Sequence, residues 1–325
     1  MTIRVALVGC GAIARRSHVP ALKNISDVDV VAFASRSLAS AEAAAGEWGT
    51  TDAVVSDDWR KVVARDDIDA VDICSPNSLH HEQTVAAAQA GKHVLVEKPI
   101  ACTVKEADAM IAAAGDGGVV LHVAHNVRYL PVAVAAHRSI ARVGKIVGVR
   151  AAFGHAGPRG WAPDATWFFD TKLSGGGALI DLGIHAIDLL RFVTGLDATE
   201  VTAVTLGEEP AEDAAQVAIR FSDGAIGSVH ASWVARPAPD FGLTVFGHQG
   251  TMHVDARSPL TFRPAEGDSE KVELPGDVSS PFDDFVRAIR GEPSAQPATA
   301  DDGRAALAIV CAAYESARTR KTVSL

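Results

Sequence analysis

The sequence predicts an α/β chain in two parts: a doubly wound parallel sheet, then an α+β domain with a mostly antiparallel sheet. Three observations carry this. Short apolar runs alternate with helical stretches up to Ala124, as in βαβ units. Beyond that point strand-like segments follow one another with turn signals between them. A chain of 325 residues is also too long for one typical domain. The expected domains are 1–124 and 125–325, with no obvious linker between them.

Ile3 to Val8 reads as the first strand, and Gly9-Cys10-Gly11-Ala12-Ile13-Ala14 follows at once, leading into a helix. This is Gly-x-Gly-x-x-Ala in the context that gives it meaning. Gly9 allows a tight turn, Gly11 lets a pyrophosphate approach the backbone, and Ala14 lets the helix pack close to the strand. Ala12 and Ile13 complete the loop, and the helix N-terminus favours an anion. Cys10 lies beside that N-terminus, which lowers a thiol pKa. A bound pyrophosphate would cover it, so no catalysis is assigned to it.

The second strand, Val28 to Ala34, ends in Ser35-Arg36-Ser37. An NAD site usually has an acid here for the ribose hydroxyls. A guanidinium between two hydroxyls instead matches a 2′-phosphate, so NADP is the expected cofactor, with NAD possible. A helix over 39–46, a strand over 52–55 and a helix over 59–64 come next. Ala70 to Cys74 is a buried strand that ends in Ser75-Pro76-Asn77. Asn77 either reaches toward the nicotinamide or caps its own loop. His80 opens a helix that stops at Gly91.

His93 to Lys98 is a further buried strand, closed by Glu97-Lys98-Pro99. Ligands of open α/β sheets sit beyond the carboxyl ends of strands, so Lys98 is a candidate to enter a site; the alternative is a surface lysine. A helix over 104–114 and a strand over 119–124 finish the first part. A helical stretch over 129–143 opens the second. Strand-like segments follow at 145–154, 200–206, 214–221, 225–233, 242–247 and 251–255, and two late helices at 280–290 and 301–319. Ser174-Gly175-Gly176-Gly177 interrupts them and leads into an apolar helix from Ala178 to Leu190. Asp181, His185 and Asp188 share one stripe of it by spacing. The glycines would let this helix start close to a cofactor or substrate. The Asp–His pair either serves chemistry or braces the domain.

Composition narrows the function. Apolar residues make up 48% and charged residues 22% of the chain, ordinary for a globular protein with a sizeable core. A net charge of −10 argues against nucleic acid or an anionic membrane as partner. Cys10, Cys74, Cys102 and Cys311 are scattered, as for reduced thiols. No metal site is expected: adjacent His80 and His81 point apart on a helix, and no third ligand accompanies Asp181 and His185. The first strand starts without a basic leader, and no apolar run approaches the ~20 residues of a membrane helix. The expected location is cytoplasmic.

Gly9-x-Gly11-x-x-Ala14, Ser75-Pro76-Asn77-x-x-His80, Glu97-Lys98-Pro99 and the Ser174 to Asp188 segment occur in one order. In that order they resemble the glucose–fructose oxidoreductase/inositol dehydrogenase (Gfo/Idh/MocA) family over essentially the whole chain. The resemblance implies an N-terminal Rossmann domain and a C-terminal domain with an open sheet, through which members form homodimers or homotetramers. It implies an NAD(P)-dependent oxidoreductase acting on a sugar, cyclitol or related polyol. It gives Lys98 the catalytic lysine role, with Asp181 and His185 as its partners. His185 suits the base and Lys98 the stabiliser of negative oxygen, although in some relatives the lysine is the acid/base. Pro76, Asn77, His80 and Glu97, with Ser75, would line the nicotinamide side. Arg128 and Trp167 are substrate-side candidates. Some relatives instead cleave glycosidic bonds with transient redox, and others only bind dinucleotide as regulators.

Overall fold

A computed structural model of the chain describes residues 2–207, 211–236, 241–294 and 297–325. These form two units: Met1–Ala124 with Ser279–Arg304, and His125–Val278 with Ala305–Leu325.

The first unit is built on six strands: β1 (Ile3–Val8), β2 (Val28–Ala34), β3 (Val54–Ser56), β4 (Ala70–Ile73), β5 (His93–Val96) and β6 (Leu121–Val123). Their order is β3-β2-β1-β4-β5-β6 and every pairing is parallel. β4 is buried throughout and β5 at its last three residues, as expected of strands covered on both faces. The chain leaves β1 toward β2 and later returns to its other side as β4. The carboxyl ends of β1 and β4 therefore flank the switch point where such sheets bind ligands.

The sequence reading put 125–325 in one domain, but Ser279–Arg304 clusters with the first unit. The reason is apolar burial. Helix Pro281–Ile289 places Phe282, Phe285 and Val286 in the same core as Leu7, Val30 and Leu95. Each such side chain contributes about 1.5–3 kcal/mol when buried. A capping box on Ser280 and Asp283 starts that helix.

The second unit holds a nine-stranded sheet: β7 (Ile146–Gly154), β8 (Ala198–Leu206), β9 (Ala214–Phe221), β10 (Ile226–Ser232), β11 (Gly242–Gly247), β12 (Gly250–Asp255), β13 (Thr261–Pro264), β14 (Glu270–Lys271) and β15 (Val323–Ser324). Its order is β14-β13-β12-β11-β7-β10-β9-β8-β15, antiparallel throughout except for β7 beside β10. One face turns Val201, Val217, Val229, Ala151 and Val245 inward, and helix Ile184–Thr194 packs on it at β7 and β11. By register, Val204, Ile226 and Phe246 share the opposite face and are 66%, 60% and 38% exposed.

Contrary to the expectation that no apolar run approaches membrane length, the segment Thr171–Thr194 is, at a mean hydropathy of 1.3, long and apolar enough to cross a membrane. Its most apolar window is 89% buried inside the protein, so its hydropathy is that of a core helix.

Candidate active site

Gly9 closes β1 with a φ of +97°, and a Cβ there would lie 2.5 Å from the Cys74 carbonyl carbon. The residue must be glycine because the ends of β1 and β4 touch. At Gly11 a Cβ would meet nothing within 4 Å, so the chain's own packing does not require that glycine. Open space before the exposed backbone fits the close approach of a pyrophosphate. Ala14 is fully buried, which lets the helix sit tight on the sheet, while Ala12 and Ile13 are half-buried. A π-helical turn Ala14–His18 runs on into helix Val19–Lys23. The Cys10 thiol donates to the Ala34 carbonyl at 3.6 Å, and burial pushes its pKa up to about 12. The expected lowering by the helix N-terminus is therefore overturned: desolvation outweighs the dipole.

At the tip of β2, Ser35 is half-buried while Arg36 and Ser37 are exposed. Ser37 caps helix Leu38–Trp48, its Oγ accepting from the Ser40 amide at 3.4 Å. That leaves the hydroxyl hydrogen for another acceptor. Arg15, which the sequence reading passed over, donates from Nη2 to the Ser40 carbonyl at 3.2 Å. A second guanidinium thus stands beside this tip. Its signal in the sequence was only its place one residue past the glycine motif.

The loops after β4 and β5 are tied together by His80. Its ring is fully buried, with Nδ1 2.8 Å from the Pro99 carbonyl and Nε2 2.9 Å from the Ser75 carbonyl. Burial holds its pKa below the ordinary imidazole range. His80 thus joins two loops rather than forming an open wall. Ser75 donates to Gln83 Oε1 at 2.6 Å, Pro76 precedes the turn Asn77–Leu79, and Asn77 is buried within that turn.

Glu97 points inward. Its Oε1 is 2.8 Å from His18 Nε2, and its Oε2 accepts the Lys98 backbone N–H at 2.9 Å. Nδ1 of His18 lies 2.9 and 3.0 Å from the two carboxylate oxygens of Asp72 on β4. Burial opposes the charge on His18, but the Asp72 carboxylate beside it holds its pKa well above the ordinary range. Burial likewise opposes a charged Glu97, but the hydrogen bond and charge of His18 hold its pKa below the ordinary range. The Cys74 thiol lies 3.2 Å from Nδ1, so His18, Asp72 and Cys74 have the residue types of a metal site. Their spacing is that of hydrogen bonds, with Nδ1 directly against the carboxylate. Asp72 in an otherwise apolar strand was the signal in the sequence.

In the second unit a π-helical turn Leu179–Gly183 carries Asp181, and helix Ile184–Thr194 carries His185. Such turns are frequent at functional sites. Trp233 Nε1 donates to Asp181 Oδ2 at 2.9 Å, and His155 Nε2 lies 3.9 Å from the same oxygen. His185 meets the Phe153 ring edge-on at 5.6 Å between centroids. Trp167 stacks on Phe168 at 3.9 Å, and Phe169 packs against Trp233. His155 and Trp233 escaped the sequence reading because β7 and β10 bring them in from far along the chain. The third member of the stripe, Asp188, takes the Arg128 guanidinium, with Arg128 Nε donating at 3.1 Å. Both groups are buried, so Arg128 belongs to an internal ion pair.

The glycine run before this helix has a different cause from the expected closeness to a ligand. A Cβ on Gly176 would lie 2.1 Å from the Tyr314 hydroxyl oxygen, and one on Gly177 2.1 Å from the Glu212 carbonyl. Glu212 accepts from the Gly177 and Leu179 amides at 2.8 Å and from the Tyr314 hydroxyl at 2.9 Å. These bonds satisfy the donors that a helix start leaves open.

A Gly-x-Gly-x-x-Ala turn at the switch point of a parallel sheet, in a chain with a separate sheet-based unit, is the arrangement of a dinucleotide-binding protein. The profile described as "Oxidoreductase family, NAD-binding Rossmann fold" matches residues 3–125, and that of the "GFO/IDH/MocA C-terminal domain" matches 135–253. The chain belongs to the Gfo/Idh/MocA family and is an NAD(P)-dependent oxidoreductase. It is 33% identical to a 1,5-anhydro-D-fructose reductase of Ensifer adhaerens, over 99% of this chain and 98% of the relative. It is 27% identical to an inositol 2-dehydrogenase of Rhizobium meliloti over 100% of both chains. The WlbA dehydrogenase of Bordetella pertussis, solved with NADH and UDP-GlcNAcA, superposes with a TM-score of 0.88 at 26% identity, over 100% of this chain and 99% of that one.

Gly9→Ala is expected to weaken binding of the reduced nicotinamide dinucleotide at least about tenfold, because a Cβ must displace the end of β4. Fluorescence titration measures it; unchanged affinity would mean that the turn does not set the cofactor loop.

Proposed function

We propose that the protein transfers a hydride between NADP and a secondary alcohol of a sugar, cyclitol or related polyol. The observation that carries the cofactor choice is the tip of β2. Arg36 stands between two hydroxyls where an acid would favour NAD, and the Arg15 guanidinium reaches the adjoining helix at Ser40. The loop residues Gly9, Gly11, Ala12, Ile13 and Ala14 would hold the pyrophosphate, with Ser35, Arg36 and Ser37 at the 2′-phosphate. Ser75, Pro76 and Asn77 would border the nicotinamide, with His80 and Glu97 holding those loops.

When bound, the nicotinamide supplies the hydride acceptor or donor. The chain's own groups handle the proton and the oxygen. In this reading Lys98 donates to the alcohol oxygen as negative charge grows there. His185 takes the alcohol proton, and Asp181, oriented by Trp233, holds a hydroxyl of the substrate. Trp167 is a wall residue on the substrate side, and Arg128 acts through Asp188 as a brace. Family membership and the sugar reductase relative support the substrate class. A cytoplasmic location goes with the reduced cysteines.

The open face of the nine-stranded sheet, with Val204, Ile226 and Phe246, supports a homodimer or homotetramer formed through it. Light scattering on Ile226→Asp tests this: the variant should have a lower mass than the parent, and an equal mass would place the interface elsewhere.

For the cofactor, Arg36→Ala should lower the ratio of kcat/KM for NADP over NAD at least about tenfold, since a charge-assisted hydrogen bond is worth roughly 1.5–3 kcal/mol. Initial rates with both cofactors, over a panel of sugars and cyclitols, measure it. An unchanged ratio would remove the 2′-phosphate assignment.

A further inference from the structure

The first unit holds a buried polar cluster that the hydride chemistry does not itself need. His18 is 1% exposed and ends the π-helical turn that begins at the dinucleotide loop. Both of its ring nitrogens face carboxylate oxygens, Asp72 at 2.9 Å and Glu97 at 2.8 Å. An ionised carboxylate only accepts, so both hydrogen bonds exist only if both nitrogens carry hydrogen. With Asp72 and Glu97 both ionised, the ring is an imidazolium. Every element packed around it contributes: Asp72 from β4, the Cys74 thiol just beyond it, Glu97 beyond β5, and the edge-on Phe282 ring at 4.9 Å. Asp284, fully buried, lies on the helix that carries Phe282; the Lys98 charge acts on Glu97, as would that of a protonated His80.

We propose that His18 is a positioning residue: its fixed positive charge holds the Glu97 carboxylate inward, where Glu97 anchors the backbone of Lys98 and so aims the lysine side chain. The hydrogen bonds run from Asp72 to His18 to Glu97 to the Lys98 amide. They link the end of the phosphate-loop helix to the residue that carries the reactive ammonium. Without the imidazolium, two carboxylates would face each other in a site closed to water. One would take up a proton or turn away, and Glu97 would release Lys98. This inference rests on the reading that Lys98 takes part in the reaction.

Two measurements test it. The first needs no substrate: nitrogen NMR of the wild-type protein labelled in histidine, with His18 assigned by difference against His18→Gln or His18→Asn. Both His18 nitrogens should show imidazolium shifts without change from pH 6 to 9. A neutral tautomer at pH 7.5, or titration near the ordinary midpoint of about 6.5, overturns the proposal. The second is kinetic, with the best alcohol of the panel. His18→Gln should lose about 10- to 100-fold in kcat, while the Kd for NADPH stays within about threefold. His18→Gln combined with Asp72→Asn should recover most of that loss, because it restores the charge balance and the introduced side-chain amide can still donate to Glu97. Unchanged kcat in the single variant, or a parallel loss of cofactor binding and kcat that the double variant does not recover, overturns it as well. If His18→Gln fails to fold, the pH series on the wild type decides, its His18 signal assigned against His18→Asn. Lys98→Ala run alongside separates the two readings: retained kcat there refutes the role of Lys98 and leaves the NMR result standing.

Discussion

Asp72 and Glu97 stand at neighbouring strands of a parallel sheet, where water is excluded and neither carboxylate can keep its charge alone. His18 lies between them and hydrogen-bonds both. Losing one partner of such a buried charge pair typically costs about 3–5 kcal/mol, a large share of a domain's stability. This one ring also joins three parts of the first unit: the helix after the glycine loop, the end of β4 and the end of β5. Those are the parts proposed to supply the cofactor loop and Lys98. A stability requirement and a positional requirement meet in the same hydrogen bonds.

The second unit solves a similar problem in its own way. Its central helix is apolar enough to pass for a membrane span, yet it carries Asp181, His185 and Asp188. Each is accommodated by a specific neighbour: Trp233 for Asp181, the T-shaped Phe153 ring for His185 and Arg128 for Asp188. Glu212 and Tyr314 fasten the start of that helix to its amide groups. Burial keeps the Tyr314 hydroxyl protonated and a donor, far above its ordinary pKa. The polar groups are thus held against an apolar background, where satisfied hydrogen bonds rigidify them.

Most of the architecture was legible because its signals are local. The βαβ alternation, the glycine turn at residues 9–14 and the Glu97-Lys98-Pro99 strand end each occupy a few consecutive residues. What stayed hidden was set by distant partners. His18 reads as an ordinary helix residue until Asp72 and Glu97 close on it. The glycines at 175–177 suggest ligand approach, but Tyr314 and Glu212 explain two of them. Helix Pro281–Ile289 follows the second unit in sequence, and only the destination of Phe282 and Phe285 shows that it completes the first. The Cys10 thiol, expected to be acidic from its place beside a helix N-terminus, is raised to about 12 because it is buried.

In the proposed reaction a hydride passes between the cofactor and a carbinol carbon. This transfer is tested most directly with NADPH carrying deuterium at nicotinamide C4, both epimers, against a panel of oxidised sugars and cyclitols read by mass spectrometry. One deuterium should appear on the new carbinol carbon for each deuterium lost from C4, with equal consumption of NADPH. Sugar release from a glycoside with no net change in NADPH would contradict it, as would tight NADPH binding with no deuterium transferred to any carbonyl.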